Sequence, residues 1–150
     1  MNPVFSELLP FLIDKGGLHS GLMMVQVSVA ALASENKILA SPASVDSIPT
    51  SSDKEDHVSM GLTAARKARE IIKNVEHILA MEILASTHGL YFLRPLKPGT
   101  GIQAANNLIC RSVVPVKEGK PYYEDIRAIH AIIENGSLLT EVEKAVGLLL

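Results

Sequence analysis

The sequence predicts an all-α fold, and three observations support this prediction. Ala, Leu, Ile, Val and Met supply most of the apolar content, and aromatic residues make up only 4% of the 150-residue chain. Apolar residues recur at helical spacing over a long stretch in the middle of the chain. Pro and Gly occur between the apolar stretches, where they end helices. Since this length suits one domain, we expect a single all-helical unit over residues 1–150.

The charge balance and the cysteine count exclude several classes of function. The chain has 14 basic and 16 acidic residues, for a net charge of −2, and no Lys/Arg run indicates nucleic acid or a membrane as partner. Cys110 is the only cysteine, which rules out an internal disulfide and favours the reducing cytoplasm. We interpret Cys110 as a small core residue. No Cys/His spacing indicates a metal site, so we expect none.

The N-terminal third predicts an entry segment over residues 3–17, followed by a long helix. Ser20 is a suitable N-cap for this helix, which we expect to run to about Leu39. Residues 16–34 are uncharged and approach the length of a membrane span. Because a histidine, a glutamine and three serines interrupt them, we favour a helix buried on all sides over a membrane span.

A polar segment, residues 41–60, follows and is here called the 41–60 loop. Pro42 and Pro49 prevent it from continuing the preceding helix. A compact domain rarely keeps so long a loop unless the loop has a function. We expect Asp46 and Ser47 to brace it.

A second, longer helix is predicted after the loop. Ser52 and Glu55 have the spacing of a capping box, so this helix should begin near residues 53–56 and run to His88, with Gly89 as its C-cap. Such a helix would be about 50 Å long. Because a 150-residue globule cannot bury its apolar stripe, we expect partner helices from outside this chain.

Three shorter helices are predicted in the C-terminal third. Pro95, Pro98 and residues 99–101 form a second loop before them. The helices should cover about residues 102–112, 123–133 and 138–149, with Ser137 as the N-cap of the last one.

Seven stretches of the chain match motifs of a known enzyme family. They are PFL from residue 10, GGLHSGLM from 16, AALASENK from 30, SPASVDSIPTSSDKEDHVSMG from 41, AARK from 64, ILAMEILA from 78 and RPL from 94. In these stretches the chain resembles the aromatic amino-acid lyases, and its loop is most similar to that of the histidine-specific members. The resemblance covers about residues 2–96 and is looser beyond them.

The resemblance implies a long-helix bundle of the aromatic ammonia-lyase type and a homotetramer with a central bundle. It also implies an electrophilic methylidene-imidazolone group, which the family forms from an internal Ala-Ser-Gly. Ala-Ser pairs begin here at residues 33, 40, 43 and 85, and none precedes Gly. The chain therefore resembles only the C-terminal portion of such an enzyme and does not encode the prosthetic group.

We expect a C-terminal fragment or small subunit of a histidine ammonia-lyase. It would contribute to the conversion of L-histidine to urocanate and ammonia with a separate large chain that carries Ala-Ser-Gly, and it would be inactive alone. Two alternatives stay open: a non-catalytic helical assembly module, and part of a lyase for another aromatic amino acid. Retention of the 41–60 loop favours the enzyme, because packing alone does not require its sequence.

The resemblance also implies three substrate-binding residues, of which the first is the candidate catalytic residue. Glu55 matches a family glutamate near the substrate; a carboxylate pairs with an imidazole ring but is costly against an apolar phenyl ring. The alternative for Glu55 is a capping acid alone. Met23 matches a methionine of the histidine enzymes. Lys54 and Asp53 replace the family's Gln and Asn, so Lys54 either lines the substrate site or is a solvated residue.

Overall fold

The described part of the chain is all-α and consists of six helices and two short 3-10 turns. The computed structural model describes residues 3–14, 18–115 and 121–149. Its elements are α1 (Pro3–Ser6), α2 (Met23–Leu39), α3 (Gly61–Phe92), α4 (Thr100–Ile109), α5 (Tyr122–Glu134) and α6 (Ser137–Val146), with short 3-10 turns at Pro10–Leu12 and Ala43–Val45. The predicted all-α fold is confirmed.

The longest helix, α3, organises the others, and its 32 residues rise about 48 Å. Helix α2 runs antiparallel to it. Asn74 Nδ2 donates hydrogen bonds to Glu35 Oε2 at 3.1 Å and to Asn36 Oδ1 at 2.9 Å. Nearer the start of α3, Lys67 Nζ donates to the carbonyl oxygen of Ser41. The loop end of α2 therefore lies beside the first turns of α3.

Helices α4, α5 and α6 complete the structure around the other end of α3. Helix α5 packs on α3, where the rings of His77 and His130 stack at 4.4 Å and His130 Nε2 lies 3.4 Å from Glu76 Oε2. Helix α4 packs on α6 at Gly101, where an added Cβ would lie 3.4 Å from Val146 Cγ1. Gly101 therefore faces the valines of α6 at this contact.

The hydrophobic core lies at the C-terminal half of α3. Its buried members are Leu12, Leu22, Val25, Ala80, Met81, Leu84, Ile109, Val113 and Ile129. They come from the entry segment and from α2, α3, α5 and the end of α4. Burying a side chain of leucine size contributes about 1.5–3 kcal/mol. In contrast, no residue of α3 before Ala80 is buried.

The chain enters α2 through a close crossing at Gly21. This glycine has φ +50°, and a Cβ there would lie 2.5 Å from the carbonyl oxygen of Phe11. That same oxygen accepts a hydrogen bond from Leu22 N at 3.0 Å. The predicted Ser20 N-cap is wrong: the helix begins at Met23, and Ser20 contributes only its backbone carbonyl to Met23 N.

The prediction that residues 16–34 form a helix buried on all sides is also wrong for this chain. Val25 is the one buried residue of α2, whereas Val27 and Ile38 are 53% and 72% exposed. Burial needs neighbours on every face, and this chain supplies them on one. Residues 15–17 lie outside the described residues. No helix in the described ranges has the length and hydropathy of a membrane span.

The predicted ends of the long helix are wrong, although its length is close. Helix α3 begins at Gly61, so Ser52 and Glu55 do not form a capping box. It continues past Gly89, which is buried within the helix and lies close to Leu8 Cδ1. Gly89 is therefore a packing position and not a C-cap.

The three shorter helices lie where they were predicted, within a few residues at each end. The predicted N-cap of the last one is wrong. Gly136, with φ +73°, occupies the cap position, and Asn135 Oδ1 accepts a hydrogen bond from Ser137 N at 2.9 Å. Cys110 follows α4 and is half-buried, so it is not a core residue.

Candidate active-site loop

The 41–60 loop connects α2 to α3 at the exposed end of the helix pair. Ser47 Oγ accepts a hydrogen bond from Val58 N at 2.8 Å and donates one to the Val58 carbonyl at 3.3 Å. The Lys67 ammonium holds the start of the loop through the Ser41 carbonyl. Both ends of the loop are thus fixed, and the predicted bracing role of Ser47 is confirmed. That of Asp46 stays a prediction.

The middle of the loop is a tight reversal closed by Thr50 and Glu55. Thr50 N donates to Glu55 O at 3.0 Å, and Glu55 N donates to Thr50 O at 3.3 Å. Between them Ser51, Ser52 and Asp53 have φ of 55°, 55° and 63°. Left-handed backbone in non-glycine residues costs on the order of 1–3 kcal/mol each, and such strain clusters at functional sites. The reversal therefore marks this turn as a candidate functional element.

The reversal also fixes the carboxylate of Glu55. Thr50 Oγ1 donates a hydrogen bond to Glu55 Oε2 at 2.8 Å, and the Glu55 side chain is exposed. Within the described residues Glu55 Oε1 makes no hydrogen bond, so it remains available as an acceptor. The role of Thr50 could not be predicted from the sequence, because it depends on the backbone reversal between the two residues.

Lys54 lies beside Glu55 on the same turn. Its backbone N donates to Ser51 O at 3.3 Å, and its side chain is exposed. Across the described residues it forms no salt bridge with Glu55. The two charged groups are neighbours along the chain, and the geometry leaves both open to an incoming ligand.

Met23 lies at the opposite end of α2. The helix rises about 24 Å from Met23 to Leu39, where the loop begins. Met23 is half-buried beside the core residue Leu22. The structure therefore brings Lys54 and Glu55 together but does not bring Met23 to them within one chain.

The residues present do not fit a methylidene-imidazolone group. Residues 33–34 and 85–86 lie inside α2 and α3, and residues 43–44 lie in a 3-10 turn. Residues 40–41 precede Pro42, which has no backbone N–H to act as a nucleophile. Over the described ranges, no group of three or more His, Cys, Asp or Glu side chains is arranged to hold a metal ion.

Comparisons with known proteins agree with this geometry. A family model described as aromatic amino acid lyase matches residues 1–111. The chain is similar to a histidine ammonia-lyase of Alkaliphilus oremlandii, with 50% identity over 99% of this chain and 29% of the relative. A crystal structure of histidine ammonia-lyase from Trypanosoma cruzi superposes with a TM-score of 0.91, at 40% identity, over 97% of this chain and 28% of that one.

The chain is also similar to a protein whose name gives a different amino acid, tyrosine. The crystal structure of a tyrosine aminomutase from Streptomyces globisporus superposes with a TM-score of 0.92, at 30% identity, over 99% of this chain and 29% of that one. The chain thus spans less than a third of the length of each of these proteins.

Proposed function

Since this chain belongs to the aromatic amino acid lyase family, we propose that it serves as the C-terminal part of a histidine ammonia-lyase. A separate large chain would supply the Ala-Ser-Gly electrophile, and the two would assemble around a tetrameric core in the cytoplasm to convert L-histidine to urocanate and ammonia. One observation carries this proposal: relatives named histidine ammonia-lyase align over 98–99% of the chain, including the whole loop, at 48–50% identity.

In this proposal Glu55 binds and orients the imidazole ring of the substrate. Its Oε2 accepts a hydrogen bond from the Thr50 hydroxyl, and its Oε1 is left to accept one from an imidazole N–H. Hydrogen bonds with an ionised partner are about twice as strong as neutral ones. A phenyl ring offers no such donor, so the carboxylate favours histidine over phenylalanine.

The other two substrate-binding residues of the proposal have different positions. Lys54 lies beside Glu55 on the same turn and would contact the substrate from the same side. Met23 lies at the far end of α2, so any contact that it makes with L-histidine uses a different copy of the chain from the one that supplies Glu55.

A second candidate function is a non-catalytic assembly module. Exposed apolar side chains on the first part of α3 favour it, because they suit helix packing whatever chemistry the partner performs. These side chains are Leu62, Ile72, Val75 and Leu79, which are 77%, 58%, 40% and 42% exposed. A lyase for another aromatic amino acid is the third candidate, given the likeness to tyrosine aminomutase.

Co-expression separates the three candidates. The chain would be produced with a large chain that carries Ala-Ser-Gly, purified through a tag on one partner, and assayed with L-histidine and with L-tyrosine. We expect co-purification and urocanate formation, and no urocanate from either chain alone. Co-purification without turnover of either substrate would favour the assembly module, and turnover of L-tyrosine alone would favour the other lyase. Failure to co-purify would contradict the split enzyme.

A further inference from the structure

A cavity lies far from the 41–60 loop, between the end of α3, the turn that follows it and the face of α4. It has a volume of about 430 Å³, within the range of small-molecule sites, about 300–1,000 Å³. Six of its lining residues are polar or charged: Arg94, Lys97, Gln103, Asn106, Asn107 and Cys110. No acidic residue lines it, so its walls carry two positive charges and no negative one.

Both cations are free of carboxylate partners among the described residues. The guanidinium carbon of Arg94 lies 4.8 Å from the centre of the Tyr91 ring. No hydrogen bond of the Arg94 side chain to a described residue accompanies this contact, so its N–H donors stay available to a ligand. Arg94 is thus oriented by an aromatic ring and not neutralised by an acid.

The α4 wall presents amide donors. Residues 103, 106, 107 and 110 have the spacing of one helix face. Gln103 Nε2 donates to Asn107 Oδ1 at 2.8 Å, and Cys110 Sγ lies 3.9 Å from Asn106 Oδ1. In both asparagines the carbonyl oxygen is engaged within the helix, which leaves the NH₂ group as the free end. A wall of amide donors next to two cations suits an anion.

We propose that this cavity binds a small anionic metabolite through a carboxylate or phosphate group. Arg94 holds the oxyanion through its guanidinium edge, Lys97 adds a second charge, and the α4 amides donate further hydrogen bonds. Planar guanidinium groups match both carboxylate and phosphate oxygens, so the two sources share this chemistry. The proposal does not depend on the lyase activity, because no residue of the 41–60 loop takes part.

Cys110 provides a direct probe of the cavity. It is the only cysteine of the chain, so alkylation by neutral iodoacetamide reports this position alone. Burial raises the pKa of the Cys110 thiol, and the charge of Arg94 acts in the opposite direction. Removing Arg94 should therefore slow alkylation even without a ligand. For each variant, protection is thus the alkylation rate without the anion divided by the rate with it.

The test measures the alkylation rate of the full chain with inorganic phosphate, with citrate, and with sodium chloride at equal ionic strength. We expect phosphate or citrate to slow alkylation roughly tenfold at about ten times its Kd, and chloride to have no such effect. Protection by phosphate alone identifies a phosphate ligand, and protection by citrate alone identifies a carboxylate ligand.

Arg94→Gln and Lys97→Met should abolish or reduce this protection. Arg127→Gln, which removes an exposed arginine of α5, is the matched control and should retain it. Circular dichroism checks that each variant keeps its helix content, and Lys97→Met alone decides the matter if Arg94→Gln unfolds. The proposal would be overturned if neither anion protected Cys110, or if chloride protected it equally. It would also be overturned if protection were undiminished in a folded Arg94→Gln or Lys97→Met variant.

Discussion

Residues 61–79 and residues 80–92 belong to one continuous helix but have different surroundings. The second segment contains every buried residue of α3, and the core closes around Leu84 and Ala80. The first segment has none, and it begins directly after the 41–60 loop. Both segments are equally helical, so helix formation does not distinguish them. The contrast shows that this chain buries one half of α3 by itself, and we propose that a partner covers the other half together with the loop.

The largest expected effect is on stability and comes from the buried half. Leu84→Ala should lower the free energy of unfolding by about 2–5 kcal/mol, because it removes a fully buried side chain and leaves a cavity. Ile72→Ala, in the exposed half, is the control and should change it by less than about 0.5 kcal/mol in the isolated chain. Urea titration followed by circular dichroism measures both. If both variants lost the same free energy of unfolding, the two halves of α3 would not differ in their contribution to stability.

The next effect concerns catalysis at the exposed end. In the assembly with a large chain, Glu55→Gln should lower kcat/KM for L-histidine roughly ten- to a hundredfold, since a hydrogen bond to a charged group contributes about 1.5–3 kcal/mol. Asp56→Asn removes the neighbouring exposed carboxylate and should leave the rate close to that of the parent. If the two variants behaved alike, Glu55 would have no special part in substrate binding.

A smaller, pH-dependent effect is expected at His88 in the buried half. Both ring nitrogens of His88 are buried without a hydrogen-bond partner in the described structure, and its ring packs edge-on against Tyr122. Burial lowers the pKa of His88, opposed by the nearby charge of Asp125. Below the ordinary pKa of about 6.5 the unfolded chain binds a proton that the folded chain does not. Stability is therefore full above that pH and decreases below it, by at most about 1.4 kcal/mol per pH unit.

His88→Leu tests this assignment. At neutral pH the free energy of unfolding of the variant should exceed that of the parent by about 1 kcal/mol, because the substitution removes unpaired polar atoms. The urea midpoint should rise accordingly. It should also lose less stability between pH 7.5 and pH 5.5 than the parent loses. An unchanged difference between the two pH values would show that His88 does not titrate as its burial requires.

The smallest effect is local and lies in the loop. Ser47→Ala removes the hydroxyl that bridges both backbone groups of Val58. It should accelerate hydrogen exchange at Val58 N by about tenfold, which corresponds to one net hydrogen bond of about 1.4 kcal/mol. Global unfolding in urea should not change. An unaltered exchange rate at Val58 would show that other contacts fix the end of the loop.

The sequence was sufficient for the helices but not for their ends. Helical periodicity predicted the length of α3, because the pattern extends through both the buried and the exposed half. Its start was wrong because Ser52 and Glu55 have capping-box spacing, whereas the structure uses Glu55 to close the reversal with Thr50. Its end was wrong because Gly89 resembles a C-cap in sequence, whereas in the structure it is a buried position inside the helix.

The candidate site was predicted unevenly for a related reason. The family motif pointed to Glu55 and Lys54, and Ser47 was predicted only to brace the loop. Thr50 was missed because no glycine marks the left-handed backbone of residues 51–53, where glycine is the usual sequence signal. The separation of Met23 from the loop follows from the length of α2, which no motif reports.

Hydrogen–deuterium exchange of the two halves of α3 tests the central claim most directly. It would be measured on the chain alone and on the chain with a large chain carrying Ala-Ser-Gly. We expect residues 80–92 to be protected in both samples, and residues 61–79 with the 41–60 loop to gain protection only in the assembly. Equal protection of residues 61–79 with and without the large chain would contradict the claim that this half of α3 is completed by a partner.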